Sequence, residues 1–290
     1  KKILVRMFTE YKDLTYENIS NISVGHIYNL RKSVHYQRLT KKYEKTKPRI
    51  VNIGERRKPT PNGVPGYLRV DTVHQGDMDR QKGVYHINIL DEVTQFEIAG
   101  SVEKITESFL VPLLLKLINK FPFRVFEFHA DNGSEYINRQ VANMLNRLLI
   151  KLTKSRSRQT NDNAQVESKN GSVIRKWMGY GFIDQKHAPE INKFYFDIFN
   201  EYLNFHRPCA FATEIEDRKG KIKKVYKQEN YMTPYEKFKS LTNSYSFLKP
   251  GITFEKLEEI AKRKTDNQIA EEIQNTRYKL FNRILPTYSS

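Results

Sequence analysis

The 290-residue chain holds a single cysteine, Cys209. One thiol excludes an internal disulfide framework and any zinc site built from several cysteines, and it fits a reducing interior. Long hydrophobic runs are missing too. The most apolar stretch, FLVPLLLKLI, is too short to span a bilayer and is broken by Pro112 and Lys116. Without a signal peptide, internal repeat or low-complexity tract, the expectation is a cytoplasmic protein with no membrane partner. The chain opens KKILV without an initiator methionine, so a natural start further upstream is expected. Acidic residues are also in short supply: 33 Asp and Glu stand against 50 Lys and Arg, a formal net charge of +17. Such an excess favours polyanionic partners and salt-sensitive association. A merely soluble basic protein is the alternative.

Apolar material is sufficient for a core, at 38% of residues and including 17 Tyr and 17 Phe. Residues 15–34, TYENISNISVGHIYNLRKSV, predict two short helices around a turn, with Ser23 as N-cap and Val24, Ile27, Tyr28 and Val34 at helical spacing. His26, Asn29, Arg31 and Lys32 are then left to face outward. The arrangement suits a DNA-reading helix-turn-helix; an ordinary helical hairpin is the other possibility. Four prolines within residues 48–65 mark a basic linker.

Beyond it the pattern changes. YLRVDTVHQ, GVYHINILDE and FEIAGSVE predict three strands, separated by turn residues such as MDRQKG. SFLVPLLLKLINKF predicts a helix, FRVFEFHAD a strand, INRQVANMLNRLLI an amphipathic helix and KLTKSR a short strand. NDNAQVESKNGSVIRKWMGY and INKFYFDIFNEYLNFH predict two more helices. The sum is an α/β protein with a mixed five-stranded sheet and helices on both faces. Its expected regions are a helix-turn-helix at 1–47, a linker at 48–65, a core at 66–208 and a mainly helical extension at 209–290. The extension begins with a charged hairpin around Lys219-Gly220.

Three carboxylates stand out by position. Asp71 lies inside the first core strand, where alternation wants a β-former. Asp131 directly follows the strand FRVFEFHA, and Glu167 lies in the helix after the Asn-rich loop TNDNAQ. If the first and fourth strands are neighbours, both aspartates sit at the sheet centre and a crossing helix brings Glu167 to them. Three converging carboxylates repel unless a cation compensates. Mg²⁺ or Mn²⁺ suits such hard oxygen ligands, and two ions about 3.5–4 Å apart serve phosphodiester chemistry. Taken singly, Asp71 reads as an edge-strand charge, Asp131 as a turn or cap aspartate, and Glu167 as a solvated helix residue; their joint placement favours a site.

DTVHQGD, HADNGSEYIN and NDNAQVESKNG together resemble the catalytic blocks of the retroviral-integrase superfamily, and most of all bacterial insertion-sequence transposases. Between Asp131 and Glu167 lie 167 − 131 − 1 = 35 residues, the D-x35-E spacing of that superfamily. The resemblance extends over about residues 15–240, through LNFHRPC and YMTPYEK. It implies an RNase H-like core and a catalytic, metal-binding triad of Asp71, Asp131 and Glu167 with two Mg²⁺ or Mn²⁺ ions. It also implies a homo-oligomer acting on double-stranded DNA, at element ends and target, beside the nucleoid of a bacterium. Such proteins cleave with water and then use the freed 3′-hydroxyl for strand transfer. Two features depart from the pattern. One cysteine cannot build the zinc site that retroviral integrases carry at their N-terminus, and a helix-turn-helix is expected there instead. Gly171 and Ile174 stand where many relatives have a basic residue after the glutamate; the basic residues here are Lys169, Arg175 and Lys176. Arg175, eight residues on, falls about 80° past two full turns from Glu167.

Around the triad, KSRSRQTND offers Lys154, Arg156 and Arg158 as DNA contacts on a mobile loop, or else forms a solvated turn. Asp162 is a rival third carboxylate, better placed as a helix cap. His74 and His129 are expected to be hydrogen-bonded structural residues, and Trp177 a core residue. A metal-dependent nuclease and a non-catalytic DNA-binding derivative remain as alternative functions.

Overall fold

Ser23 caps a helix, as its place before VGHIYNLR implies: its hydroxyl accepts the His26 amide at 3.1 Å. The computed structural model describes residues 1–39, 53–131, 133–156, 159, 162–216, 220 and 222–285. They fall into two compact units, 1–50 and 51–290. In the first, α1 (Lys2–Thr9), α2 (Glu17–Ser20), α3 (Val24–Arg31) and α4 (Val34–Leu39) follow one another. His26, Asn29, Arg31 and Lys32 are exposed, as expected. The apolar positions meant to pack are not: Val24, Tyr28 and Val34 are each more than half exposed. So short a helical segment encloses too little apolar surface for a core of its own.

The second unit is built on a sheet of β1 (Glu55–Arg56), β2 (Tyr67–His74), β5 (Tyr85–Asp91), β6 (Glu97–Val102), β7 (Glu127–Ala130) and β8 (Lys151–Lys154). The small hairpin β3 (Asp77–Met78) and β4 (Gln81–Lys82) interrupts it. The strand order is β1-β8-β7-β2-β5-β6. β1, β8, β7 and β2 run parallel, whereas β2, β5 and β6 are antiparallel. The expected mixed sheet forms, with a sixth strand where the sequence predicted linker. Edge pairing recruits that segment: Arg57 donates its amide to the Lys154 carbonyl at 3.2 Å, and Lys154 Nζ donates to the Ile53 carbonyl at 2.6 Å.

Helices cover both faces. On one, α5 (Glu107–Lys120) and α6 (Arg139–Arg147) pack over Leu68, Val70, Ile87, Ile89 and Phe128. On the other, the helix beginning as α7 (Ala164–Lys169) turns π-helical over Asn170–Arg175 and ends as α8 (Lys176–Met178). α9 (Ala188–Phe194) likewise continues through π-helical turns to His206. The C-terminal extension contributes to both cores. Tyr235, Phe238, Phe254 and Leu257 join the first face, and Ile269, Ile273, Leu280 and Ile284 the second. The expected boundary at residue 208 therefore divides no core. A charged hairpin does form, from 213–216 and 222–225; its expected turn at Lys219 lies outside the described residues.

One edge of the sheet is closed by side chains. Asn192, Asn200 and Asn204 each accept from a backbone amide of β6 and donate to the carbonyl of the same residue, Ser101, Ala99 and Glu97 respectively, at 2.7–3.0 Å. The helix thus takes the place of a seventh strand and leaves no template for edge-to-edge pairing.

Candidate active site

β2 and β7 are adjacent and parallel, with Val70 opposite Ala130. Asp71 is the next residue of β2 and Asp131 the first residue after β7, just past strands that run about 4.8 Å apart. Leu68, Val70, Phe128 and Ala130 belong to the α5–α6 core, so alternation turns Asp71 towards the opposite face, where the helix begun by α7 meets it through Asn170. Asn163 fixes that helix: its amide donates to the Val70 carbonyl at 3.2 Å, and its own carbonyl accepts from Glu167 N at 3.2 Å. The helix entrance is thereby tied to the strand position just before Asp71.

Asp71 is half-buried, while Asp131 and Glu167 are exposed. Burial, followed by the negative charges of Glu167 and Asp131, pushes the Asp71 carboxyl above the usual aspartate range. The Thr72 amide opposes this at 2.8 Å from Oδ1, and the Asn170 side-chain amide at 2.7 Å from Oδ2. Both carboxylates are thus near enough to act on the third. The donor chemistry, hard carboxylate oxygens, fits a divalent cation. Yet among the described residues no three His, Cys, Asp or Glu side chains are gathered closely enough to hold an ion. The Asn170 amide holds the Asp71 oxygen instead.

Neutral groups brace this carboxylate. Asn88 donates to Asn170 Oδ1 at 3.2 Å. On the other face of β2, the fully buried Tyr136 hydroxyl bonds the Thr72 hydroxyl. Asn88, Asn163 and Asn170 are additions to the residues expected at the site; Asn170 follows Glu167 by three positions and so shares its helix face.

The basic residues divide into those held within the fold and those facing solvent. Lys169 is buried, donates to Cys209 Sγ at 3.3 Å and lies 3.9 Å from Glu97, so it is no DNA contact; it points to the side of the helix that meets β6 and β9 (Cys209–Ala210). Arg175 donates to the His74 carbonyl at 2.7 Å and to Gln75 Oε1 at 3.1 Å. Lys154 is likewise committed to the Ile53 carbonyl. Arg156 grips Asp162 through its backbone amide and guanidinium at 2.9–3.0 Å and holds that carboxyl down at about 2. Asp162 is thus neither a helix cap nor a third ligand; it is the partner of Arg156. Lys176 is exposed, and Arg158 lies outside the described residues.

His129 is structural, as expected. It bonds the Thr153 hydroxyl at 2.9 Å and the Ser155 hydroxyl at 3.3 Å, and burial drops its pKa to about 3. His74 stacks on Tyr85 with centroids 4.3 Å apart, and Trp177 sits in the core.

No protein-family model matches the chain. An uncharacterized protein of Sinorhizobium fredii, y4rM, is 28% identical over 146 residues, which cover 50% of this chain and 42% of that protein. A simian T-cell lymphotropic virus intasome in complex with PP2A regulatory subunit B56 gamma is 16% identical with a TM-score of 0.37, over 61% of this chain and 60% of that one. The catalytic core domain of BIV integrase is 14% identical with a TM-score of 0.38, over 59% of this chain and 91% of that one. At such scores the likeness decides neither substrate nor reaction.

Proposed function

We propose that this chain is a DNA transposase, which binds element ends, cleaves phosphodiesters and joins the freed 3′ end to target DNA. The observation that carries this is geometric: Asp71 and Asp131 follow the paired Val70 and Ala130 of adjacent parallel strands, and Asn163 ties the helix of Glu167 to Val70. Asp71, Asp131 and Glu167 would hold Mg²⁺ or Mn²⁺, two ions per site. When bound, such ions activate the attacking oxygen, first of water and then of the 3′-hydroxyl, and stabilise the leaving one. The chain itself aims Asp71 through Asn170 and anchors the helix of Glu167 through Asn163. Its net charge of +17 retains the duplex, with His26, Asn29, Arg31 and Lys32 as the reading surface. Pairing two element ends calls for at least two copies.

The test is a strand-transfer assay with DNA flanking the coding region, run with Mg²⁺ or with EDTA. Joined product from the Mg²⁺ reaction alone, lost in Asp131→Asn, supports the reading; joining by Asp131→Asn protein defeats it. Hydrolysis without joining, even from a pre-cut 3′-hydroxyl end, would make the chain a nuclease. One observation favours a non-catalytic DNA-binding derivative: the three carboxylates are not gathered into an ion-holding group. Metal-independent binding with no cleavage would establish it.

A further inference from the structure

Tyr180 follows the helix of Glu167 and is 79% exposed. Solitary surface aromatics are ordinary, but this one is held on a braced loop. Gly179 ends the helix, donating to the Arg175 carbonyl at 2.8 Å, with φ +78° and ψ −169°, a conformation essentially reserved for glycine. Gln75, fully buried, shares its side-chain amide among the carbonyls of Met178, Gly179 and Gly181 at 3.3, 3.0 and 2.8 Å. The Arg175 guanidinium stands 5.4 Å from the Tyr180 ring centroid, itself fixed by the His74 carbonyl and Gln75 Oε1. One face of the ring thus rests against an immobilised cation, and most of the rest meets solvent. Gly179, the buried Gln75 amide and the Arg175 guanidinium thus hold in place a segment whose aromatic ring stands mostly in solvent.

The location adds meaning. The carbonyl that Arg175 holds lies three residues beyond Asp71 on β2, about 10 Å along the strand. That distance is about three nucleotide steps along one DNA strand. A paired base already has neighbours stacked on both sides; an end or extruded base has a free face. Tyrosine stacking accepts any base, because every base has a π-face, and the cation behind the ring draws in the phosphate chain.

We propose that Tyr180, backed by Arg175, stacks an unpaired base of the DNA strand that passes Asp71, Asp131 and Glu167, with exposed Lys176 facing its phosphates. The proposal rests on the nucleic-acid reading above and adds a specific contact to it. The full chain should be titrated against a duplex with a short 3′ overhang carrying 2-aminopurine, and against a blunt duplex of equal length. Wild type is expected to quench the overhang's fluorescence. Tyr180→Leu should abolish quenching and weaken overhang binding about tenfold, leaving blunt-duplex binding within about twofold, while Tyr180→Phe retains both. Wild type that binds DNA, with Tyr180→Leu quenching equally well, overturns the stacking role and leaves the DNA reading intact. Wild type that binds neither duplex overturns both. A Tyr180→Leu protein that sediments as a smaller species with undiminished quenching assigns the ring to contact between copies and likewise overturns the proposal.

Discussion

Asn170 donates to Asp71 Oδ2 at 2.7 Å while Asn88 donates to Asn170 Oδ1 at 3.2 Å. This relay of neutral amides steadies a carboxylate that burial, and after it the acidic neighbours, push towards protonation. Stability and chemistry therefore pull in opposite directions at Asp71, and the two can be separated by mutation.

The raised carboxyl makes ionised Asp71 the costly form in the fold. Its stabilising contribution is full below the unfolded-state pKa and is lost as pH rises through the folded one. In EDTA at neutral pH, Asp71→Asn should melt higher than wild type, by on the order of 2 °C. The gap should close on acidification. Calorimetric melting across pH checks this, and a variant that melts lower at neutral pH contradicts it.

Asn170→Ala removes one neutral donor from Asp71. Strand transfer should fall about tenfold with the melting temperature nearly unchanged, and more Mg²⁺ should be needed for half-maximal rate. An unaltered Mg²⁺ dependence would reduce Asn170 to a packing residue.

Asn200→Ala strands both the N–H and the C=O of Ala99 at the sheet edge. A loss of about 2 kcal/mol in urea unfolding is expected, together with faster aggregation. Stability equal to wild type would show that water replaces the asparagine without cost.

Lys169 and Lys176 should behave oppositely. Lys169→Met takes from buried Glu97 the stronger of the two cations acting on it, Arg207 being the other, and should cost about 3 kcal/mol in stability. Its DNA affinity should keep the wild-type salt slope. Lys176→Ala should be neutral for folding and reduce that slope by about one contact. Salt titrations of binding decide between them.

Much of the frame was legible in the sequence. The core strands and helices followed from period and turn residues, and Ser23 from its place before an apolar run. The neighbour relation of β2 and β7 was reachable only as a condition, because strand adjacency is a tertiary fact. The asparagine ladder was invisible: Asn192, Asn200 and Asn204 bond a strand about ninety to a hundred and seven positions away, and on a helix they look like solvated residues. The sense of Lys169 was hidden for the same reason, since a helix does not announce which side meets Cys209. Asp162 looked like a cap because its real partner, Arg156, stands six positions earlier in the chain. β1 was masked by prolines that flank a two-residue strand.

Mn²⁺ binding followed by calorimetry, on wild type and on Asp71→Asn, Asp131→Asn and Glu167→Gln, bears most directly on whether three distant acids share one ion-binding centre. Heat of binding in wild type, weakened at least tenfold by each single change, is the expected result. Undiminished Mn²⁺ affinity in Glu167→Gln would mean that the helix carboxylate never joins the two strand aspartates.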